Sequence, residues 1–170
     1  NTPGLRELQE VDHLSSILSE CGKVAERKGG GKPLLLKLSP DGSDDEIIAS
    51  AQMALRRGID GFVATNTTLH RPVPSNTRSR GIFAESGGLS GRPLQSRSVE
   101  VIRLLYEEVG SEVPIVGVGG IDSAATAWEA MTSGASLLQL YSALVFKGPS
   151  VVPHIVKGLR RKIRDNGFLS

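Results

Sequence analysis

From about residue 29 onward, short apolar runs alternate with longer stretches in which apolar residues recur at helical spacing. That alternation is expected when parallel strands are covered by helices. Residues 34–39, 61–65, 114–118 and 136–141 are apolar at nearly every position and predict four strands buried on both faces. A helix signal follows each. Ser43-Asp44-Asp45-Glu46 has capping-box spacing and leads into Ile47, Ile48, Ala51 and Leu55 on one helical face, with Gly58 as the stop. Val99, Ile102, Leu105, Tyr106 and Val109 repeat the pattern up to Gly110. Asp122 or Ser123 can cap a helix carrying Ala127, Trp128 and Met131, which Gly134 ends. Val152, Ile155, Val156, Leu159 and Ile163 mark the last helix. Ahead of them all, Leu14, Ile17, Leu18 and Val24 predict a leading helix with no strand of its own.

Four βα units behind an orphan helix fit the C-terminal half of a (β/α)8 barrel better than an open doubly wound sheet. A half barrel exposes a strand edge and its inner core, so the expectation includes a partner half. The chain opens on Asn1-Thr2-Pro3-Gly4 without an initiator methionine, which predicts a portion of a longer protein. Composition narrows the picture only modestly. With 170 residues, 39% hydrophobic residues and a net charge of +2, the chain can bury one core. The cations from 157 to 164 read as the solvated end of a helix, not as a nucleic-acid or lipid patch. One cysteine, Cys21, excludes an internal disulfide and a cysteine-based metal site. No run approaches the roughly 20 apolar residues that span a bilayer.

In barrels of this kind the chemistry sits at the C-terminal ends of the strands. Lys37 lies within an apolar strand, where an ammonium is costly unless an anion or acceptors meet it. Thr65-Asn66-Thr67-Thr68 ends the second strand, and asparagine offers the donor and acceptor that an imide-like ring requires. Gly117-Val118-Gly119-Gly120-Ile121-Asp122-Ser123 is a glycine-rich turn at a helix start, suited to a phosphate monoester. Gln139-Leu140-Tyr141-Ser142-Ala143 closes the next strand, so both lie where barrels often bind phosphate. The lysine of a P-loop is missing and the spacing is not the dinucleotide fingerprint. Flavin mononucleotide (FMN) or a phosphorylated substrate fits better. Residues 69–96 form a long excursion, with residues 72–84 read as a surface loop and the glycines from Gly87 to Gly91 as purposeful.

Five segments in register resemble the class 2, quinone-linked dihydroorotate dehydrogenases: Asn1-Thr2-Pro3-Gly4-Leu5-Arg6, Ala64-Thr65-Asn66-Thr67-Thr68, Ser86-Gly87-Gly88-Leu89-Ser90-Gly91-Arg92-Pro93-Leu94, Gly117-Val118-Gly119-Gly120 and Gln139-Leu140-Tyr141-Ser142. The resemblance covers nearly the whole chain and implies an FMN-bearing (β/α)8 barrel, of which residues 1–170 are the C-terminal portion. It implies oxidation of dihydroorotate to orotate in pyrimidine biosynthesis, with electrons passing to ubiquinone or menaquinone. It implies cofactor contacts from Lys37, Thr65, Gly91, Gly119, Gly120, Tyr141 and Ser142, and substrate contacts from Asn1, Asn66 and Thr67. The family reaction moves a proton from C5 and a hydride from C6 to flavin N5. Its serine base is expected two residues upstream of Asn1, so no catalytic base is assigned within this chain. The first barrel strands and the N-terminal helices that carry peripheral membrane association are likewise expected upstream. The implied location is the mitochondrial inner membrane or a bacterial cytoplasmic membrane. A class 1 or other FMN-dependent dihydropyrimidine oxidoreductase, or an inactive FMN-binding half barrel, are the competing readings. Cys21 matches no catalytic position and reads as a structural thiol, while His13, His70 and His154 read as surface or helix residues.

Overall fold

The chain is described by a computed structural model covering residues 11–73 and 77–167. Strands β1 (Leu35–Leu38), β2 (Gly61–Ala64), β3 (Ile115–Val118) and β4 (Leu137–Gln139) form one parallel sheet in sequential order. Each is shorter than its apolar run, by one residue for β2 and β3, two for β1 and three for β4. Helices α1 (Val11–Arg27), α2 (Asp44–Arg56), α3 (Thr77–Phe83), α4 (Gln95–Val109), α5 (Ala124–Thr132), α6 (Ser142–Lys147) and α7 (Val151–Asp165) follow in chain order. The capping box forms as its spacing predicts. Ser43 Oγ accepts from the Glu46 N–H, and the Glu46 carboxylate accepts from the Ser43 N–H at 2.8 Å. Those bonds hold the Glu46 carboxyl below its ordinary pKa, the backbone bond from Ser43 most of all. Ser123, not Asp122, caps α5.

The pairing separates the two faces of the sheet. Leu36 pairs with Phe62 and Phe62 with Ile115, while Leu38 pairs with Ala64; all are buried beneath the helices. Helices pack in the order α1 on α2, α2 on α4, α4 on α5 and α5 on α7, so they form one layer. A doubly wound sheet reverses its strand order and carries helices on both faces. Here the order never reverses, and α1, α2, α4, α5 and α7 pack on one side, as right-handed crossovers would bring them. The architecture is therefore half of a (β/α)8 barrel.

This corrects the expectation that the strands are buried on both faces. Lys37, Val63, Val116 and Leu137 share one level of the other face. No helix layer among the described residues covers it: Leu137 is 62% exposed and Leu35 38% exposed, although mid-sheet Val116 is buried and Val63 half-buried. Lys37 is exposed too, not held in an apolar interior. Cys21 is likewise exposed on α1 and packs in no core. His13, His70 and His154 are exposed, as expected. Two helices escaped the sequence reading. Helix α3 lies in the polar excursion and has no apolar repeat to announce it. Helix α6 spans six residues, too few to show a period.

Phe62 is fully buried where β2 meets the helix layer. Phe62→Ala is expected to cost about 3–5 kcal/mol of unfolding free energy, read from the midpoint of urea denaturation. The same truncation at exposed Leu137 should cost a small fraction of that in this chain.

Candidate functional site

The C-terminal ends of all four strands open onto one cavity of about 700 Å³. That lies within the range of small-molecule and cofactor sites. Lys37, Thr65, Asn66, Thr67, Gly91, Gly119, Gly120, Tyr141 and Ser142, the described residues to which the resemblance assigns contacts, line it, while Thr68, Gly87 and Gly117 do not. Asn1 lies outside the described residues. Lys37 has no ion-pair or hydrogen-bond partner among the described residues, so its charge is free to meet a ligand.

Hydrogen bonding fixes the second-strand loop beyond the end of β2. The Thr65 N–H donates to Val118 O at 2.7 Å and the Asn66 N–H to Leu38 O at 2.8 Å, which ties this turn to β3 and β1. Asn66 Oδ1 accepts from the Thr67 N–H at 2.9 Å. Its side-chain NH₂ takes no partner among the described residues and remains available to a ligand acceptor.

A relay of charged side chains holds the long excursion that follows. Arg97 on α4 donates to Pro40 O and Gly42 O at 2.9 and 3.0 Å, which fixes the loop after β1. Asp41 in that loop accepts from the Thr68 hydroxyl and from the Leu69 N–H. Thr68 in turn pairs antiparallel with Leu89, returning the chain to the sheet. Within the excursion the Arg71 guanidinium donates to the carbonyls of Thr68, Phe83, Glu85 and Gly87 at 2.6 to 3.3 Å. One planar group with five N–H donors thus serves four carbonyls and ties the two ends of the excursion together. The surface loop expected over residues 72–84 is thus partly helical and is closed by Arg71.

The remaining wall is a glycine cradle. Gly120 has φ +70°, and a Cβ there would lie 2.7 Å from Gln95 Cα; at Gly119, φ +132°, it would strike Ser98 Oγ. Side chains are therefore excluded at both positions and the backbone amides lie bare at the mouth. Gly91, φ +81°, approaches Ser142, whose hydroxyl lies 2.8 Å from that of Ser90. Tyr141 stands 77% exposed at the rim.

Three charged groups on this rim carried no separate signal in the sequence. Arg92 Nε and Lys147 Nζ both reach Asp122 Oδ2, at 2.9 and 3.1 Å. Burial raises the Asp122 pKa, but the hydrogen bonds and charges of Arg92 and Lys147 outweigh it and set the carboxyl below its ordinary value. Asp41, Arg71, Arg97 and Lys147 were passed over because isolated polar residues in loops and on helices have no period. Only their partners, 16 to 57 residues away for the longest links, give them meaning.

A one-sided parallel sheet in sequential order, with lysine, asparagine and paired glycines lining the cavity at its C-terminal mouth, is half of a (β/α)8 barrel. The family model described as Dihydroorotate dehydrogenase matches residues 1–163, and the chain belongs to that family. It is 49% identical over 163 residues to the dihydroorotate dehydrogenase (quinone) of Vibrio parahaemolyticus, covering 94% of this chain and 48% of that protein. Against the Streptomyces coelicolor protein of the same name, identity is 43%, over 99% of this chain and 46% of that protein. Among solved structures, the Eimeria tenella dihydroorotate dehydrogenase in complex with ferulenol superposes with TM-score 0.88 at 32% identity, covering 99% of this chain and 48% of its own. Its ligand-free form gives 0.89 at 33% identity, covering 98% and 50%. The chain thus spans about half the length of the relatives it matches.

Two outcomes test this geometry. Arg71→Ala should take away the donor to the Phe83, Glu85 and Gly87 carbonyls, so limited proteolysis within residues 77–88 should accelerate roughly tenfold while the global unfolding midpoint moves little. Because the Asp122 pKa is lowered in the folded state, its contribution to stability is full above the ordinary aspartate range and is lost as pH falls through the lowered value. Thermal unfolding of Asp122→Asn should therefore lose less stability than the parent between about pH 4 and pH 2.

Proposed function

We propose that this chain is the FMN-holding, C-terminal portion of a class 2 dihydroorotate dehydrogenase, oxidising (S)-dihydroorotate to orotate with a quinone as final electron acceptor. The observation that carries the reading is the convergence of the nine described candidate residues on one cavity, in a chain of that family. The residues present suit the cofactor. A cavity of about 700 Å³, with Gly91, Gly119 and Gly120 in its lining at positive φ and so free of side chains, offers room for a phosphate monoester and its attached ring system.

In this reading the amides about Gly119, Gly120 and Ser142 would hold the phosphate, with Gly91 and Tyr141 beside it, while Thr65 and Lys37 would contact the ring. FMN held there would supply a two-electron hydride acceptor. Lys37 would supply positive charge where negative charge develops. Asn66 and Thr67, together with Asn1, orient the pyrimidine by its donors and acceptors, converting an encounter into a positioned reaction. A serine upstream of Asn1 accepts the proton. The uncovered sheet face, with Leu35 and Leu137 exposed, is the surface against which the N-terminal half of the barrel would close. Among the described residues no helix is long and apolar enough to cross a membrane. In this reading membrane association would be peripheral and belong to the N-terminal region that the relatives carry. The bacterial relatives named above favour the cytoplasmic membrane over the mitochondrial inner membrane.

The full-length protein should purify with flavin absorbance and reduce a ubiquinone or menaquinone analogue when given dihydroorotate. Reduction of fumarate or NAD in place of the quinone would remove the class 2 assignment, and a flavin-free protein would remove the cofactor. Lys37→Met should keep FMN bound yet slow flavin reduction by roughly 10²-fold in single-turnover absorbance traces.

A further inference from the structure

We propose that Asp122 is a positioning residue: through Arg92 and Lys147 it holds the three loops of the phosphate cradle at fixed spacing and so sets how tightly the phosphate is gripped. The inference rests on the FMN reading above.

Each member of the cluster belongs to a different loop of the cradle. Arg92 directly follows Gly91, Asp122 lies two residues beyond Gly120, and Lys147 ends the helix that Ser142 begins. Lys147 Nζ binds Asp122 twice, at the main-chain oxygen (2.8 Å) and at Oδ2 (3.1 Å). Arg92 Nε meets the same Oδ2 at 2.9 Å. The hydroxyls of Ser90 and Ser142 join the first and third loops at 2.8 Å, and Asp122 joins the second to both.

Energetics argue that the cluster serves position more than stability. The Arg92 side chain is 79% exposed and that of Lys147 45%, and ion pairs of such exposure contribute little to folding. The Asp122 side chain, by contrast, is only 14% exposed. Its Oδ1 is buried and has no hydrogen-bond partner among the described residues, which is costly. A mostly buried carboxylate with one unpaired oxygen is a poor way to stabilise a fold. It is an effective way to fix two long cations in direction, since both converge on one oxygen. The group as a whole keeps a net charge of +1 beside the cradle, favourable to a phosphate dianion at short range.

The test compares FMN with riboflavin, which has the ring but no phosphate, by fluorescence titration of the full-length protein stripped of flavin. Asp122→Asn is expected to weaken FMN binding about tenfold while riboflavin affinity stays within about twofold. Lys147→Met should act in the same direction, and Asp122→Glu should restore part of the loss. A general loss of folding would weaken both flavins alike, and that result overturns the positioning role. So does unchanged FMN affinity, and so does tighter FMN binding, which would mean that Asp122 withholds the two cations from the phosphate. If the unsubstituted protein binds FMN no better than riboflavin, the phosphate assignment itself fails and takes this inference with it.

Discussion

The sequential pairing of four parallel strands is the constraint from which the rest of this molecule follows. A right-twisted strand feeding a right-handed crossover returns its helix to one side of the sheet. Repeating that step without reversing the strand order places every helix in one layer, as the packing of α1, α2, α4, α5 and α7 shows. The layer buries Leu36, Phe62 and Ile115 and leaves the level of Lys37 and Leu137 bare. It also aligns all four C-terminal strand ends at one edge, so their loops share a single mouth.

At that mouth rigidity comes from polar groups and not from apolar packing. The turn after β2 continues the sheet's hydrogen bonding to Val118 and Leu38, which fixes Thr65 and Asn66 as firmly as strand residues. The relay from Arg97 through Asp41 to Thr68, and the closure by Arg71, give the excursion an order that its composition does not advertise. Loops that carry function on a rigid scaffold need such fastening, since each unpaired backbone group near the interior is costly. The glycine cradle adds the complementary feature, backbone amides laid bare because Ser98 and Gln95 leave no room for a side chain.

The open face and the family relationship agree. A chain that matches about half of its relatives and superposes on half of a solved dihydroorotate dehydrogenase would be expected to show one uncovered sheet face and two unpaired edges. Exposed Leu137 and Tyr141 mark the two levels of that opening, the inner wall and the rim.

Local signals were legible from residues alone. The Ser43 capping box, the glycine stops at Gly58 and Gly110, the four apolar runs and the candidate residues at their ends each depend on neighbours a few positions away, and each stands where its pattern indicates. Tertiary structure decided what depends on distant partners. An apolar strand looks the same whether one face or both are covered, so the exposure of Lys37, Leu35 and Leu137 could not be read from the run that contains them. Helices α3 and α6 are too short for a period, and they exist because Arg71, Ser90 and Lys147 fasten the segments around them. Asp122 was visible only as a possible cap. Its meeting with Arg92 and Lys147 joins residues 30 and 25 positions apart, and hydrogen bonds of that span are set by the sheet that brings the loops together.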